Sequence, residues 1–346
     1  MKSTPDSRTV MLAAIQLTAT PAPLIEQLAQ AAHWIEQAAQ AGAQLLILPE
    51  LFNLGYAYAD ENYARAEHLD GETVRWLKAQ AVRHHVHLAG TLLLREDGEI
   101  FNALLLIAPD GQVWRYDKQY PWGWERAYFR GRSAITIART ALGDIGLLVC
   151  WDVAHPALWA RYAGQVDLLV VCSCPPDVSN PQFHLPDGKT LTFDDLGPLV
   201  KTMKDGGWRV FGENIERCAA WLGVPVAVSA ACGAIDTALP DGRGSLAALL
   251  PLAPQLIKHW PQADRWRLTC ALINATKIVD ATGAQLSAVT DQTEGYALAQ
   301  IMLPAAKPHP IGPVPRRPAA WLTYLASDVV LPAVMSRYYR QHKDRR

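Results

Sequence analysis

Excess charge of either sign is missing from this chain: Lys and Arg total 32 against 33 Asp and Glu, and the formal net charge is −1. Without a basic field, no nucleic-acid partner is expected. Long apolar runs are missing too. The most apolar late stretch, residues 319–335, is shorter than the roughly 20 residues a spanning helix needs, and it carries Asp328 and Pro332. Cysteines are few, six in 346 residues, and irregularly spaced. The N-terminus is polar through Arg8 and the apolar stretch after it is short and strand-like. The expectation is therefore free thiols in a reducing compartment, that is, a cytoplasmic protein. Cys172-x-Cys174 with His184 matches no standard zinc spacing, so no metal is expected. What is present is apolar residues, half of the chain, enough for a large core and an argument against disorder.

Hydrophobic periodicity places strands near residues 10–17, 45–48, 87–94, 103–107, 167–171 and 224–230. It predicts helices over 24–40, 73–85, 156–164 and 211–222, the third opening on Pro156, which suits a first helical turn. Pro109-Asp110-Gly111 is a hairpin turn signal. Strands alternating with helices, with hairpins among them, indicate an α/β layered sandwich rather than a purely parallel sheet.

Three strand-like stretches end at residues suited to amide chemistry. LLILPEL delivers Glu50, VWRYDK delivers Lys118 and IGLLVCWD delivers Cys150. Ligands collect at the carboxyl ends of strands in α/β proteins. A thiol nucleophile needs a base, and the charge that it creates needs a cation. Each residue has a blander reading: an inert buried cysteine, a capping carboxylate, a surface lysine. The convergence of all three is what favours chemistry.

The set resembles the nitrilase superfamily of carbon–nitrogen hydrolases, with their Glu–Lys–Cys constellation. AAIQL resembles the family's opening strand and GAQLLILPELFNLGY its glutamate motif. KQYPWGWERAYFRG, with Glu125 seven residues after Lys118, resembles the lysine motif, and CWDVAHPALWARYAGQVDLLVVCS the cysteine motif. ATKIVDATGAQLSAV and EGYALAQIML resemble the closing hairpin. The resemblance implies an αββα sandwich and a reaction without cofactor. It makes Cys150 the nucleophile, Glu50 the general base and Lys118 the oxyanion stabiliser, helped by the backbone N–H of Trp151. Glu125 is then a second glutamate that orients the lysine. Tyr56, Trp122 and Trp124 are candidate substrate-binding residues, with Trp151 and Asp152 beside the nucleophile, and an aromatic wall would suit a hydrophobic or aryl substituent. Asp152 is also a candidate to orient the nucleophile's turn, His155 is read equally as a structural contact, and Glu213-Asn214 as a structural pair.

The implied substrate is a small amide, cleaved to acid plus ammonia or an amine through a thioester. A nitrile hydrolysed by the same residues, acyl transfer from the thioester, and a silent scaffold are the alternatives. Asp152 stands where many nitrilases carry Glu, which leans towards the amidases. The resemblance also implies a homodimer or larger homo-oligomer. The hydrolase domain is assigned to residues 1–303, a proline-rich linker to 304–318 and a helical tail to 319–346. The tail is expected to pack on a partner subunit, with peripheral membrane contact through its basic end as the second reading. Segments 175–207 and 235–272 depart from a minimal family pattern, and the first is expected as a long loop near the pocket mouth.

Overall fold

A computed structural model describes residues 8–344. The first seven residues of the hydrolase assignment and the last two of the tail lie outside the described residues. In chain order the strands are β1 Thr9–Gln16, β2 Leu45–Ile47, β3 His87–Glu96, β4 Glu99–Ile107, β5 Val113–Asp117, β6 Ile137–Thr140, β7 Gly143–Val149 and β8 Leu168–Ser173. They continue as β9 Gln182–His184, β10 Thr190–Leu191, β11 Val226–Ala230, β12 Ala234–Ala238, β13 Arg267–Ala271, β14 Lys277–Val279, β15 Gln285–Ala288 and β16 Gly295–Met302.

Two six-stranded sheets face each other, in the orders β16-β1-β2-β3-β4-β5 and β15-β14-β11-β8-β7-β6. Each has a parallel centre and antiparallel edges: β1, β2 and β3 run together, as do β7, β8 and β11. The period-two alternation of the first sheet divides its side chains between two cores. Leu12, Ala14, Leu45, Ile47, Leu104 and Leu106 point to the second sheet and join Leu147, Val149 and Val170. Their neighbours Ala13, Ile15, Leu46, Leu105 and Ile107 point outward. There they meet Leu28, Ala31 and Ile35 of helix Leu24–Gln40 and Val74 and Leu77 of helix Glu72–His84. Behind the second sheet, Ile215, Cys218, Ala219 and Leu222 of helix Glu213–Leu222 close the fourth layer. The expected αββα sandwich is the fold.

The helix expected over 211–222 is interrupted. Helix Gly206–Phe211 stops and Glu213–Leu222 begins on a new axis at Gly212. A Cβ at Gly212 would lie 2.5 Å from the Trp208 carbonyl oxygen, so no larger residue makes this corner without a shift. The helix after the cysteine motif is also shorter than expected, Pro156–Ala160.

Segments 175–207 and 235–272 are one structure rather than two. They build a third sheet, β10-β9-β13-β12, in which β9 of the first segment pairs with β13 of the second. The first segment is thus not a loop: its strands are too short to show a period in the sequence, and their partner lies about 85 residues away, a separation given by Leu268 opposite Phe183. Helix Gly242–Leu249 and the helical turns of Pro254–Arg265 cover this sheet.

The tail packs on its own chain. Helix Trp321–Tyr324 continues through a π-helical turn, Leu325–Val330, into helix Leu331–His342. Leu322, Tyr324, Met335 and Tyr339 are buried against this chain's own residues, while Trp321 and Val329 stay exposed. The Tyr324 hydroxyl donates to the Ala154 carbonyl at 2.7 Å, and the Ile100 N–H donates to the Tyr339 hydroxyl at 2.8 Å. Gly123 allows the close approach: its φ is +45°, and a Cβ there would stand 3.1 Å from Leu331. No described helix is long and apolar enough to cross a membrane.

Met335, on the inner face of this tail, is fully buried. Met335→Ala should lower stability by about 2–5 kcal/mol in chemical denaturation followed by circular dichroism. A change under about 0.5 kcal/mol would mean that the tail is not docked in solution.

Candidate active site

Glu50, Lys118 and Cys150 follow β2, β5 and β7, and the sandwich brings these ends together. Two of the ends turn sharply. Leu51, just after Glu50, has φ 52°, and Cys150 has φ 48°. Such left-handed backbone costs a non-glycine residue about 1–3 kcal/mol and persists only where its surroundings enforce it. Leu51 is pinned by its N–H, which donates to Thr91 Oγ1 at 2.7 Å. Cys150 is pinned by Asp152, whose carboxylate accepts from the Val149, Gln119 and Tyr120 N–H groups and from the Tyr116 hydroxyl.

The Lys118 side chain is 0% exposed and sits between two carboxylates. Its Nζ donates to Glu50 Oε1 at 2.8 Å and to Glu125 Oε2 at 2.6 Å. Glu50 Oε1 also accepts from Asn102 Nδ2 at 2.7 Å, and Oε2 from the Cys174 N–H at 3.0 Å. The Cys150 thiol stands close enough to feel the charge of the same carboxylate. Glu125 further accepts from the Trp122 N–H at 2.7 Å and from the Tyr56 hydroxyl.

Burial pushes the Glu50 carboxyl up to about 7, against the pull of Lys118. Burial alone would lower Lys118, but Glu125 and Glu50 hold its ammonium well above the usual range. Burial pushes the Cys150 thiol well up, the charge on Glu50 adds to this, and Lys118 only partly opposes it. The lysine expected to favour a thiolate is therefore already neutralised by two carboxylates. Burial and the Glu50 charge thus favour the protonated thiol at Cys150.

A cavity opens onto Cys150. Tyr56, Trp122, Trp124, Glu125 and Trp151 line it, as the sequence suggests for four of the five candidate binding residues. Asp152 is not among the lining residues. All its acceptor capacity goes to the four donors of the nucleophile's turn, so its place is structural rather than substrate-binding. His155 is structural too: Nδ1 is 3.1 Å from the Trp151 carbonyl and Nε2 3.0 Å from Asp328 Oδ2. Asp328 Oδ1 also accepts from Trp151 Nε1 at 2.9 Å, which clamps the tail to the residue after the nucleophile. Asn214 Nδ2 donates to the Val153 carbonyl at 2.9 Å and braces the same turn from the helix behind it.

The sequence profile of the family described as carbon-nitrogen hydrolase matches residues 11–187, just over half of the chain. The chain belongs to the carbon-nitrogen hydrolase family. Among curated proteins it is 32% identical over 178 residues to a deaminated glutathione amidase of Synechocystis sp. (strain PCC 6803 / GT-S), covering 46% of this chain and 65% of that protein. It is 27% identical over 168 residues to a probable nitrilase of Schizosaccharomyces pombe, covering 47% and 61%. The chain thus spans less than two thirds of the length of these relatives. Among solved structures, a CN-hydrolase superfamily protein from Xanthomonas campestris aligns with TM-score 0.61 and 18% identity over 86% of this chain and 91% of that one. A mutant amidase from Nesterenkonia sp. AN1 in complex with acrylamide aligns with TM-score 0.60 and 19% identity over 84% and 90%. These likenesses carry the fold.

Glu50, Lys118, Glu125 and Cys150 all fall inside the region shared with the family. Asn102 was not found from sequence, although a lone amide inside the apolar strand EIFNALLLI is a signal that could have marked it. Two further supports left no local signal, the Cys174 N–H on Glu50 and Ser245 Oγ, which accepts from Trp124 Nε1 at 3.0 Å. Among the described residues no group of three or more His, Cys, Asp or Glu side chains could hold a metal ion.

Asp152→Asn keeps the shape of the side chain but turns an NH₂ group towards N–H or O–H donors. It should lower stability by about 2 kcal/mol or more, read from urea denaturation midpoints. An unchanged midpoint would contradict the role given to Asp152.

Proposed function

We propose that this chain hydrolyses a non-peptide carbon–nitrogen bond, converting an amide to an acid and ammonia or an amine. The observation that carries the reading is the fully buried Lys118 ammonium, bonded at once to Glu50 and Glu125, with the Cys150 thiol in the field of all three charges. A base near pH 7 beside a thiol, with a cation beside both, is the arrangement a thioester mechanism needs.

In this reading Glu50 takes the thiol proton as Cys150 Sγ bonds to the carbonyl carbon. The oxyanion is held by Lys118 and the N–H of Trp151. Two donors of the ammonium are engaged by Glu50 and Glu125, which leaves a third for the oxyanion. Glu50 then gives its proton to the nitrogen, the C–N bond breaks, and an amine or ammonia leaves. Water loses a proton to Glu50 and attacks the thioester, the C–S bond breaks, and the thiol is restored. Glu125, fixed by Tyr56 and the Trp122 N–H, orients the lysine. A nitrile would call on the same thiol, and the relatives' names, an amidase and a probable nitrilase, include both.

Ammonia release from matched amides and nitriles tests this. Release from amides should vanish in Cys150→Ala, and Lys118→Ala should lose about 10²–10³ in turnover. Release from nitriles alone would move the reading to nitrile hydrolysis. Activity that survives in Cys150→Ala would sink both.

The pH profile is a second check. Protonated Glu50 cannot accept the thiol proton, so kcat/KM should fall as pH drops through about 7, about tenfold per unit below it. A profile flat between pH 5 and 8 would contradict Glu50 as the base.

A further inference from the structure

Resting on the hydrolase reading above, we propose that the acyl group seated on Cys150 is bulky, apolar and uncharged, and that segments outside the family-matched region select it. The catalytic residues lie within residues 11–187, but much of the cavity wall does not. Phe193, Val200 and Met203 come from the first inserted segment, Leu249 and Leu252 from the second, and Leu331 from the tail. Together with Trp122, Trp124 and Phe183 they face the nucleophile with hydrocarbon. The rings form a connected series: Trp122 and Trp124 lie 5.9 Å apart between centroids, Trp124 and Phe183 6.5 Å, Phe183 and Phe193 6.3 Å.

Charge decides what this wall rejects. Among the described residues no lysine, arginine or histidine lines the cavity, and the one carboxylate that does is Glu125. It is already bonded to Lys118, Tyr56 and the Trp122 N–H. A substrate carboxylate placed here would lose its water without gaining a counter-ion, which is strongly unfavourable. Thr323 and Ser327 interrupt the wall with hydroxyls, but both are uncharged. Each methylene moved from water onto such a surface is favourable, so a longer or aromatic acyl group gains where acetyl cannot.

The experiment compares acetamide, hexanamide, phenylacetamide and glutaramate by ammonia release. It is paired with acylation of Cys150 by p-nitrophenyl acetate, hexanoate and phenylacetate, followed by peptide mass spectrometry. Hexanamide and phenylacetamide should exceed acetamide in kcat/KM by at least about tenfold, with glutaramate the poorest. The esters should acylate Cys150 in the same order. Leu252→Lys should cut the hexanamide-to-acetamide ratio by about tenfold and improve glutaramate relative to hexanamide. If amides are inert while the esters keep the order, the acyl class stands and the amide reading fails. If acetyl matches or exceeds hexanoyl, if glutaramate is fastest, or if no ester acylates Cys150, the proposal is overturned.

Discussion

One buried ammonium organises this molecule. Lys118 has no exposed side-chain surface and stands between Glu50 and Glu125, both almost fully buried. Charges taken out of water are tolerated only when each finds partners of good geometry. The partners here are specific: Asn102 and the Cys174 N–H complete Glu50, while Tyr56 and the Trp122 N–H complete Glu125. Removing one partner leaves a buried charge unpaired, which typically costs about 3–5 kcal/mol. Burial raises the Glu50 carboxyl to about 7, against the pull of Lys118.

The partners come from distant parts of the chain, and the sandwich is what assembles them. Asn102 lies in the first sheet and Cys174 directly after a strand of the second. The Glu50 N–H bonds the Ser173 carbonyl at 3.3 Å, which ties the two sheets at the site itself. Around this centre the chain adds an outer wall from two segments that pair as one sheet and from a tail clamped through Asp328. Glu50, Lys118 and Cys150 therefore sit just past strand ends, and the space before them is shaped by elements that come later in the sequence.

Legibility from sequence followed the range of the interactions. The central strands of both large sheets were readable because their apolar runs are strong, and helix 24–40 because its buried face recurs at helical spacing. The closing strands β14 to β16 were readable through the family resemblance, and the four-residue edge strand β6 was not read. Glu50, Lys118 and Cys150 were readable because each sits in a distinctive local motif just past a strand, and Glu125 through its spacing within the lysine motif. The pairing of β9 with β13 was not readable, since neither short strand carries a period and register is set by the partner. That Asp152 turns away from the cavity and into the turn at Cys150 was not readable, because residue type and adjacency do not say which way a carboxylate points. The buried face of the tail meets Tyr63, Tyr128 and the turn at Gly123 of its own chain, contacts that sequence distance concealed.

The account stands on Glu50 controlling the proton of Cys150. Site-resolved alkylation measures this most directly, with iodoacetamide labelling of Cys150 followed across pH in the wild type and in Glu50→Gln. The account predicts that the wild-type rate rises through about pH 7, and that Glu50→Gln loses this limb and at least about 10² in rate. Equal rates in both proteins, rising together near the ordinary thiol value of about 8.5, would contradict it.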